Sequence, residues 1–504
     1  MGFLVALAAA DKVLDAMAKV RDLLASLNPT RAVVIEVQNF TDQPLRLASH
    51  NHTHGAFAET PSVEIPAGHV DVFGSKDTSL THGTEGAVTY ESAAGFLFTD
   101  NWNNPVTGGN SCSATVVGTN SVDFEALGIP GGGDTANMQF TVRPGVTAPP
   151  IVRKGTATAG AVSDIAVTNS GPRGVVTAVR AGDGSLKLIS WEVAGDGLSF
   201  QRLGDSANQA GEATDIDIAR GRLFVVACRA GNGKLFLSSW SIEGGLVVRR
   251  GDSRDAAGND RAGEASLISV VALSDDLFLT AVRNGSGNLV LITWRLEASG
   301  ELVRVADSGS QAGTVGEIAL VRVGPDGQGN HRAVTAVRSG DGSLTLISWA
   351  INQNGSGITR LSFASAQAGS ADSIRAVAVG QNQVVTSLRA GAGQLVLISW
   401  SIDGHGAFTR LADTHGQAGA ISSNALMTSP TGILSAVGTG AGLKMIGWGV
   451  SPEGSMRRTA DSGEQAGAVS LVSLCPERLQ SDAPICTAVR NASGDLTLIV
   501  WADV

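Results

Sequence analysis

One segment limits what this chain can fold into more than any other. Thr177-Ala-Val-Arg-Ala-Gly-Asp-Gly-Ser-Leu-Lys-Leu-Ile-Ser-Trp191 recurs seven times, ending at Trp191, Trp240, Trp294, Trp349, Trp400, Trp448 and Trp501. The spacings are 49, 54, 55, 51, 48 and 53 residues, and seven of the eight tryptophans mark this one position. A period near fifty residues is the mark of a repeated supersecondary unit. Each copy holds an apolar run, a second run such as Gly174 to Arg180, a tight turn, a third run carrying the Trp, and a more polar fourth run. The turns read Gly-Asp-Gly, Gly-Asn-Gly, Gly-Ser-Gly or Gly-Ala-Gly, which supply the positive φ that hairpins require.

Four short strands per repeat, with no helical periodicity, predict a β-propeller blade, and seven copies predict seven blades. The last copy stops after its third strand, at Trp501-Ala-Asp-Val504. Residues Ile151 to Gly160 match the fourth-strand segment Arg202 to Gly211. The strand entering the array is therefore expected to pair with the strand leaving it, which removes free sheet edges.

Composition narrows the function classes. The formal net charge of −10 argues against a nucleic-acid partner and does not favour anionic membranes. No run of 18 apolar residues exists, so no ordinary transmembrane helix is expected. Four cysteines do not make a disulfide scaffold. Cys475 and Cys486 flank one turn, and either a bridge or two reduced thiols fits that spacing.

The chain is expected to divide into an amphipathic helix (1–28), a β-sandwich (29–145), a linker (146–150) and the propeller (151–504). In the helix, from Phe3 to Leu27, Val13, Met17, Val20, Leu24 and Leu27 form one apolar stripe. Phe3, Leu4 and Leu7 sit in a start that is apolar all round. Twenty-five helical residues span roughly 37 Å, against about 30 Å for a hydrocarbon core. Three readings stay open: a helix packed on its own domain, a membrane-inserting helix stored against that domain, and a cleaved signal peptide. From Arg31 the pattern turns to period two, and seven or so short strands divided by Gly, Pro and Asn turns read as a β-sandwich.

The helix followed by Arg31-Ala-Val-Val-Ile-Glu-Val-Gln-Asn39 resembles the start of actinoporins, the sea-anemone pore-forming cytolysins. Ile65-Pro-Ala-Gly68 resembles their Pro-Gly turn. Gly83 to Tyr90 and Asp100 to Asn110 are similar to both actinoporins and aegerolysins. The resemblance covers roughly residues 3–143. It implies lipid binding by the sandwich, then detachment, insertion and homo-oligomerisation of the helix on a membrane. Tyr90, Trp102, Asn103 and Asn104 would stand in the lipid-facing loops. Actinoporins hold phosphocholine with several tyrosines, whereas this chain has one. An aromatic cage is thus replaced by another headgroup mode, or the propeller supplies the targeting.

Other candidates carry less chemistry. His50, His52 and His54 alternate, as zinc ligands on one strand face would, yet no carboxylate stands at a diagnostic spacing; no metal and no cofactor is expected. Arg180, Arg229, Arg283, Arg338, Arg389 and Arg490 end the second strand of six repeats, and Asp205, Asp252, Asp307, Asp413 and Asp461 recur near the end of the fourth. They are either ties between strands or blades, or a ring of sites for a charged or polyhydroxyl ligand. Asp164, Asp215, Asp217, Glu317 and Asp372 on the innermost strands form no recurring acid/base pair, so no enzymatic activity is expected. The expectation is a pore-forming toxin, released from its producing cell, whose propeller finds a glycan or protein receptor. The alternative is a non-lytic lectin or lipid-binding protein with a structural helix.

Overall fold

The computed structural model describes residues 5–503, apart from 7–9, 28, 42, 80, 94, 120, 122–123, 145–150, 208, 310, 366–368, 391–392, 415–419, 430–431, 452–453, 455 and 476–484. It divides into two compact units, Met1–Thr147 and Ala148–Val504.

In the first unit, β1 (Val5–Ala6) precedes α1 (Ala10–Ser26). Then come β2 (Ala32–Asn39), β3 (Leu45–His54), β4 (Ala56–Glu59), β5 (Glu64–Ile65), β6 (His69–Lys76), β7 (Thr84–Ser92), β8 (Phe96–Asn104), β9 (Ser111–Gly118), β10 (Phe124–Ile129) and β11 (Thr135–Pro144). One sheet has the order β1-β6-β2-β11-β10, with β4 also beside β6, and the other β5-β3-β7-β8-β9. Val33, Ile35 and Val37 of β2 meet Val88, Tyr90, Phe98 and Trp102 of the second sheet in one core.

β2 is apolar on both faces because both are covered. Alternate residues Ala32 and Val34 join Val70 and Val72 beneath α1, which lays Ala16, Val20 and Leu24 on them. That spacing of four is one helical stripe. Gly74 makes room for it, since a Cβ there would stand 2.9 Å from Val20 Cγ1. Asp15, Lys19, Arg21 and Asp22 are exposed on the helix.

The helix is shorter than the stripe in the sequence implies. Val5 and Ala6 pair as a strand with Val70 and His69, because an extended segment can satisfy the open edge of β6. Phe3, Leu4 and Leu7 lie outside the described residues, as does the side chain of Val13. Met17, Val20 and Leu24 pack inward, whereas Leu27 follows the last helical turn and is 43% exposed. The 17 residues of α1 span roughly 26 Å. No described helix is long and apolar enough to cross a membrane.

The second unit is almost wholly strand. β12 (Ile151–Asn169) is 19 residues long and serves two sheets. Its second half opens the first four-stranded sheet by pairing with Gly174–Ala181. Five further four-stranded sheets open with Ala213–Arg220, Ala265–Ala272, Val315–Val323, Ala371–Val379 and Ser423–Ser429. The seventh has Val469–Leu474, Ile485–Asn491 and Asp495–Asp503, and its fourth strand is the first half of β12, from Ile151 opposite Asp503 to Ala161 opposite Asp495. The expected pairing of entering and leaving strands is present. Each sheet's first strand lies against the next sheet's first strand, and Val469–Leu474 lies against β12.

The repeated tryptophan is a core pin. All seven are at most 1% exposed, and each indole N–H finds a hydroxyl, as a buried Trp should. Trp191, Trp294, Trp349, Trp400 and Trp501 donate at 3.0 Å to Thr177, Thr280, Thr335, Thr386 and Thr487, two strand positions away across the hairpin. Trp448 uses Ser435. In the second sheet Val226 occupies the hydroxyl position, and Trp240 turns to Ser238 of its own strand. In five of the sheets the hydroxyl residue before the Trp ties the neighbouring sheet: Thr293 and Ser348, for example, donate at 2.7 Å to the carbonyls of Gly355 and Gly406 in the next sheet.

Candidate functional site

Three places in the second unit hold repeated polar residues. The first is the outer strand. The recurring aspartates pair with arginines three residues earlier, not with those ending the second strands. Arg249–Asp252, Arg304–Asp307 and Arg410–Asp413 close at 2.6 Å, and Arg202–Asp205 and Arg458–Asp461 are paired likewise. Residues three apart on a regular strand point to opposite faces. Here a bulge places one extra residue between them: Ser190 faces Gly204 while Trp191 faces Arg202, leaving Leu203 over. The bulge brings Arg and Asp to one side. In the fourth sheet Phe363 replaces the aspartate, and Arg360 lies over its ring at 5.1 Å.

These arginines also bind the preceding sheet. Arg249 donates from its backbone N and Nη1 to the side-chain and main-chain oxygens of Gln209 at 3.0 and 2.9 Å. Arg360 does the same with Gln311, and Arg153 with Gln465. Each glutamine opens a Gln-Ala-Gly step, a role the sequence reading missed although the triplet recurs. With their donors engaged within and between sheets, Arg and Asp of the outer strand act as ties.

The second place is the end of the second strands. Arg389 forms a two-point ion pair with Asp372 at 2.7 and 2.8 Å. Arg180 donates to Ser163, Arg338 to the Gly316 carbonyl, and Arg490 to the Val162 carbonyl and Ser470. Arg229 and Arg283 are exposed beside Gly233 and Gly287. These arginines share a position but no common partner.

The third place is the set of first strands, which line a cavity of about 870 Å³ through Val167, Ile218, Val270, Leu320, Val377, Leu426 and Leu474, one from each. Its charged lining is Arg220, Arg322, Asp217 and Asp275. The acids of these strands bind the neighbouring sheet. Asp164 accepts from Ile216 N, Asp217 from Val270 N and Ser269 Oγ, and Glu317 from Ser373 N and Ile374 N. In each case the receiving strand has a left-handed residue, Asp215, Leu267 or Ser373, at φ of 51° or 52°, which turns the following N–H groups toward the carboxylate. Burial raises Asp164 and pushes Asp217 up to about 6, against the hydrogen bonds that each accepts. Desolvation by the surrounding strands lowers the Arg375 guanidinium, against the opposing pull of the Glu317 and Asp217 carboxylates. Three of the acids considered as catalytic groups, Asp164, Asp217 and Glu317, are thus engaged with backbone N–H groups, and Asp372 is held by Arg389.

The first unit departs from expectation at its aromatic residues. Tyr90 and Trp102 do not face outward from loops; both are buried in the sandwich at 0% and 1% exposure. They lie on β7 and β8, where Phe96, Phe98, Asp100, Trp102 and Asn104 alternate inward. Asn104 is buried too and donates to the Ala32 and Asp134 carbonyls, leaving Asn103 on the outward face. Among the described residues Asp100 has no hydrogen-bond partner for either carboxyl oxygen, and burial raises it well above the carboxylate range.

His52 Nε2 meets Ser75 Oγ at 2.9 Å, and its ring packs edge-on against Phe57 and Trp102. His54 stacks on His82 at 4.6 Å. Among the described residues no cluster of His, Cys, Asp and Glu could hold a metal. Cys475 and Cys486 are not joined by a disulfide, and both are buried.

Solved structures similar to this chain include the lipid binding protein Nakanori, at 19% identity over 26% of this chain and 80% of that one, with a TM-score of 0.24. The β-propeller domain of Myceliophteria thermophila Cps50 (Swd1) matches at 13% identity over 69% of this chain and 99% of that one, TM-score 0.42. The Dos1 propeller matches at 13% over 90% and 95%, TM-score 0.41. The two that cover most of this chain are β-propellers. No family model matches, and no curated protein matches.

Proposed function

We propose that this chain is a non-catalytic recognition protein that acts at membranes. In this reading the seven sheets are blades of one closed propeller that binds a receptor, and the sandwich carries a helix that can be released into a bilayer. The observation that carries it is the way α1 is held. A single stripe of Ala16, Val20 and Leu24 covers one outer sheet face, while Asp15, Lys19 and Asp22 face solvent. At about 1.5–3 kcal/mol for each large apolar side chain, the attachment is worth several kcal/mol. A lipid surface that buries the same stripe can replace it.

The closed ring is supported by the β12 seam and by a cavity that all seven first strands line. Seven related blades suit multivalent binding, where weak contacts gain through avidity. A released α1 carries too many charges to cross a bilayer alone. Pore formation therefore requires several protomers with apolar stripes toward lipid and charged faces toward water. Such a protein acts after release from the producing cell, on a target membrane. The shortness of α1 favours a second reading, a non-lytic lectin or lipid-binding protein in which the helix stays docked.

A disulfide between Val20→Cys and Gly74→Cys separates the two, because the helix and sheet touch at that pair. The oxidised protein is expected to leave dye-loaded vesicles and whole cells intact, and reduction is expected to restore leakage. Leakage from the oxidised form sinks the released-helix mechanism. Cell binding without leakage in either state supports the second reading.

A further inference from the structure

The outward face of the β5-β3-β7-β8-β9 sheet holds a depression that neither the helix nor the seven-sheet unit explains. Two cross-strand rungs build it. In one, Asn51 faces Ala87, Ala87 faces Asn101, and Asn101 faces Ser113. In the next, Glu85 faces Asn103 and Asn103 faces Ser111. The register slips between His52 and His54, so Thr53 is an extra residue beside the second rung. Together they line a hollow of about 340 Å³. Its middle position is Ala87, which ends at Cβ and leaves the space that longer neighbours enclose. Glu85, Asn101 and Asn103 point away from the core yet are half-buried.

The lining fixes the chemistry of an occupant. Among the described residues Glu85 is the one charged group in the lining, which holds no lysine or arginine. A phosphate, sulfate or carboxylate ligand would meet a carboxylate with no cation to offset it. A quaternary ammonium needs aromatic faces, and Trp102 at the floor is 1% exposed. What remains is carboxamides that both donate and accept, hydroxyls that do the same, and one carboxylate acceptor. Vicinal sugar hydroxyls offer the matching set. Asn101 donates to Ser113 Oγ at a long 3.4 Å, a bond that a ligand hydroxyl can replace at little cost. The hollow is near the lower end of ligand-pocket volumes, about 300–1,000 Å³, enough for one or two sugar rings. Solvated sheet faces are commonly polar; this one is also concave, half-buried and free of cations.

We infer that this hollow binds a terminal neutral hexose of a glycan, through Asn51, Glu85, Asn101 and Asn103. The site is separate from any receptor site on the seven-sheet unit and does not depend on release of α1. The full-length protein is tested on an array of neutral oligosaccharides and on phosphatidylcholine vesicles with and without a neutral hexosylceramide. Asn101→Ala and the space-filling Ala87→Arg are each expected to weaken retention about ten-fold or more, as loss of a polar contact or of the cavity should. Thr115→Ala, on the same face of β9, should bind as the parent does. Thermal unfolding checks that each variant is folded. Retention on vesicles as well as the array identifies a glycolipid source, and on the array alone a glycoprotein or free glycan. No retained neutral glycan, or a glycan whose retention ignores both variants, overturns the proposal.

Discussion

Arg153 and Gln465 stand 312 positions apart and are joined twice: Gln465 Oε1 accepts from the Arg153 backbone N at 2.8 Å, and the Gln465 carbonyl accepts from Arg153 Nη1 at 3.0 Å. The same pair of bonds joins Arg249 to Gln209 within a continuous stretch of chain. Gln465→Ala removes the side-chain bonds to Arg153 N and to the Ile151 carbonyl and is expected to cost about 1–2 kcal/mol. Gln311→Ala removes the equivalent bonds to Arg360 N and the Ile358 carbonyl and is expected to cost the same within about 0.5 kcal/mol, if the seam is built like the other junctions. Urea midpoints at constant slope give both values, and a much larger loss at Gln465 would mark the seam as the weak junction.

The second sheet provides a natural variant of the Trp pin. Thr335→Val strands the buried indole N–H of Trp349 and should cost about 1–3 kcal/mol. Ser238→Ala does the same to Trp240. Adding Val226→Thr restores a hydroxyl at the position the other sheets use, and should recover most of that loss. A double-mutant cycle on Ser238 and Val226 measures the coupling, and additive losses would show that the hydroxyl position does not matter.

Asp217 makes the second unit more stable in acid. Its carboxyl is raised to about 6 in the folded chain, above the unfolded value of about 3.9. Its contribution is therefore complete below about pH 4 and is lost as pH rises through about 6, on the order of 2–3 kcal/mol at most. Asp217→Asn should lack this decline. Denaturation midpoints at pH 4, 5, 6 and 7 test it: the parent's excess over the variant should shrink with rising pH. A constant excess would show that Asp217 does not titrate in that window.

Asp100 has the same sign in the first unit, with no hydrogen bond among the described residues to offset burial. Asp100→Asn is expected to raise the melting temperature at pH 7 and leave it nearly unchanged at about pH 3, where the parent carboxyl is mostly protonated in both states. A variant less stable than the parent at pH 7 would place an unseen partner on this carboxylate.

The repeat was legible because Trp191 and its six counterparts stand beside glycine turns, and both recur with one period. The β12 seam was legible for the same reason, since Ile151 to Gly160 copies an outer-strand segment. The outer-strand partners were not legible. Arg202 and Asp205 are three apart, so only the extra Leu203 puts them on one side. The resemblance to actinoporins is what puts Tyr90 and Trp102 in lipid-facing loops. The period-two run Phe96, Phe98, Asp100, Trp102 already placed it inward, and the polar Asp100 concealed that pattern. The start of α1 was misplaced because an all-apolar run such as Phe3 to Ala10 has no period, so Val5 and Ala6 joined a sheet edge instead.

The double use of β12 also sets an order in time. Ile151 to Ala161 leave the ribosome early, yet their partners, Asp495 to Asp503, follow roughly 350 residues later. At about 5–20 residues per second, this segment waits tens of seconds before its edge is covered. During that interval the nascent chain carries an unpaired strand next to partly assembled sheets. The small and polar residues of Lys154-Gly-Thr-Ala-Thr-Ala159 suit a segment that must stay unpaired in that period without capturing another chain.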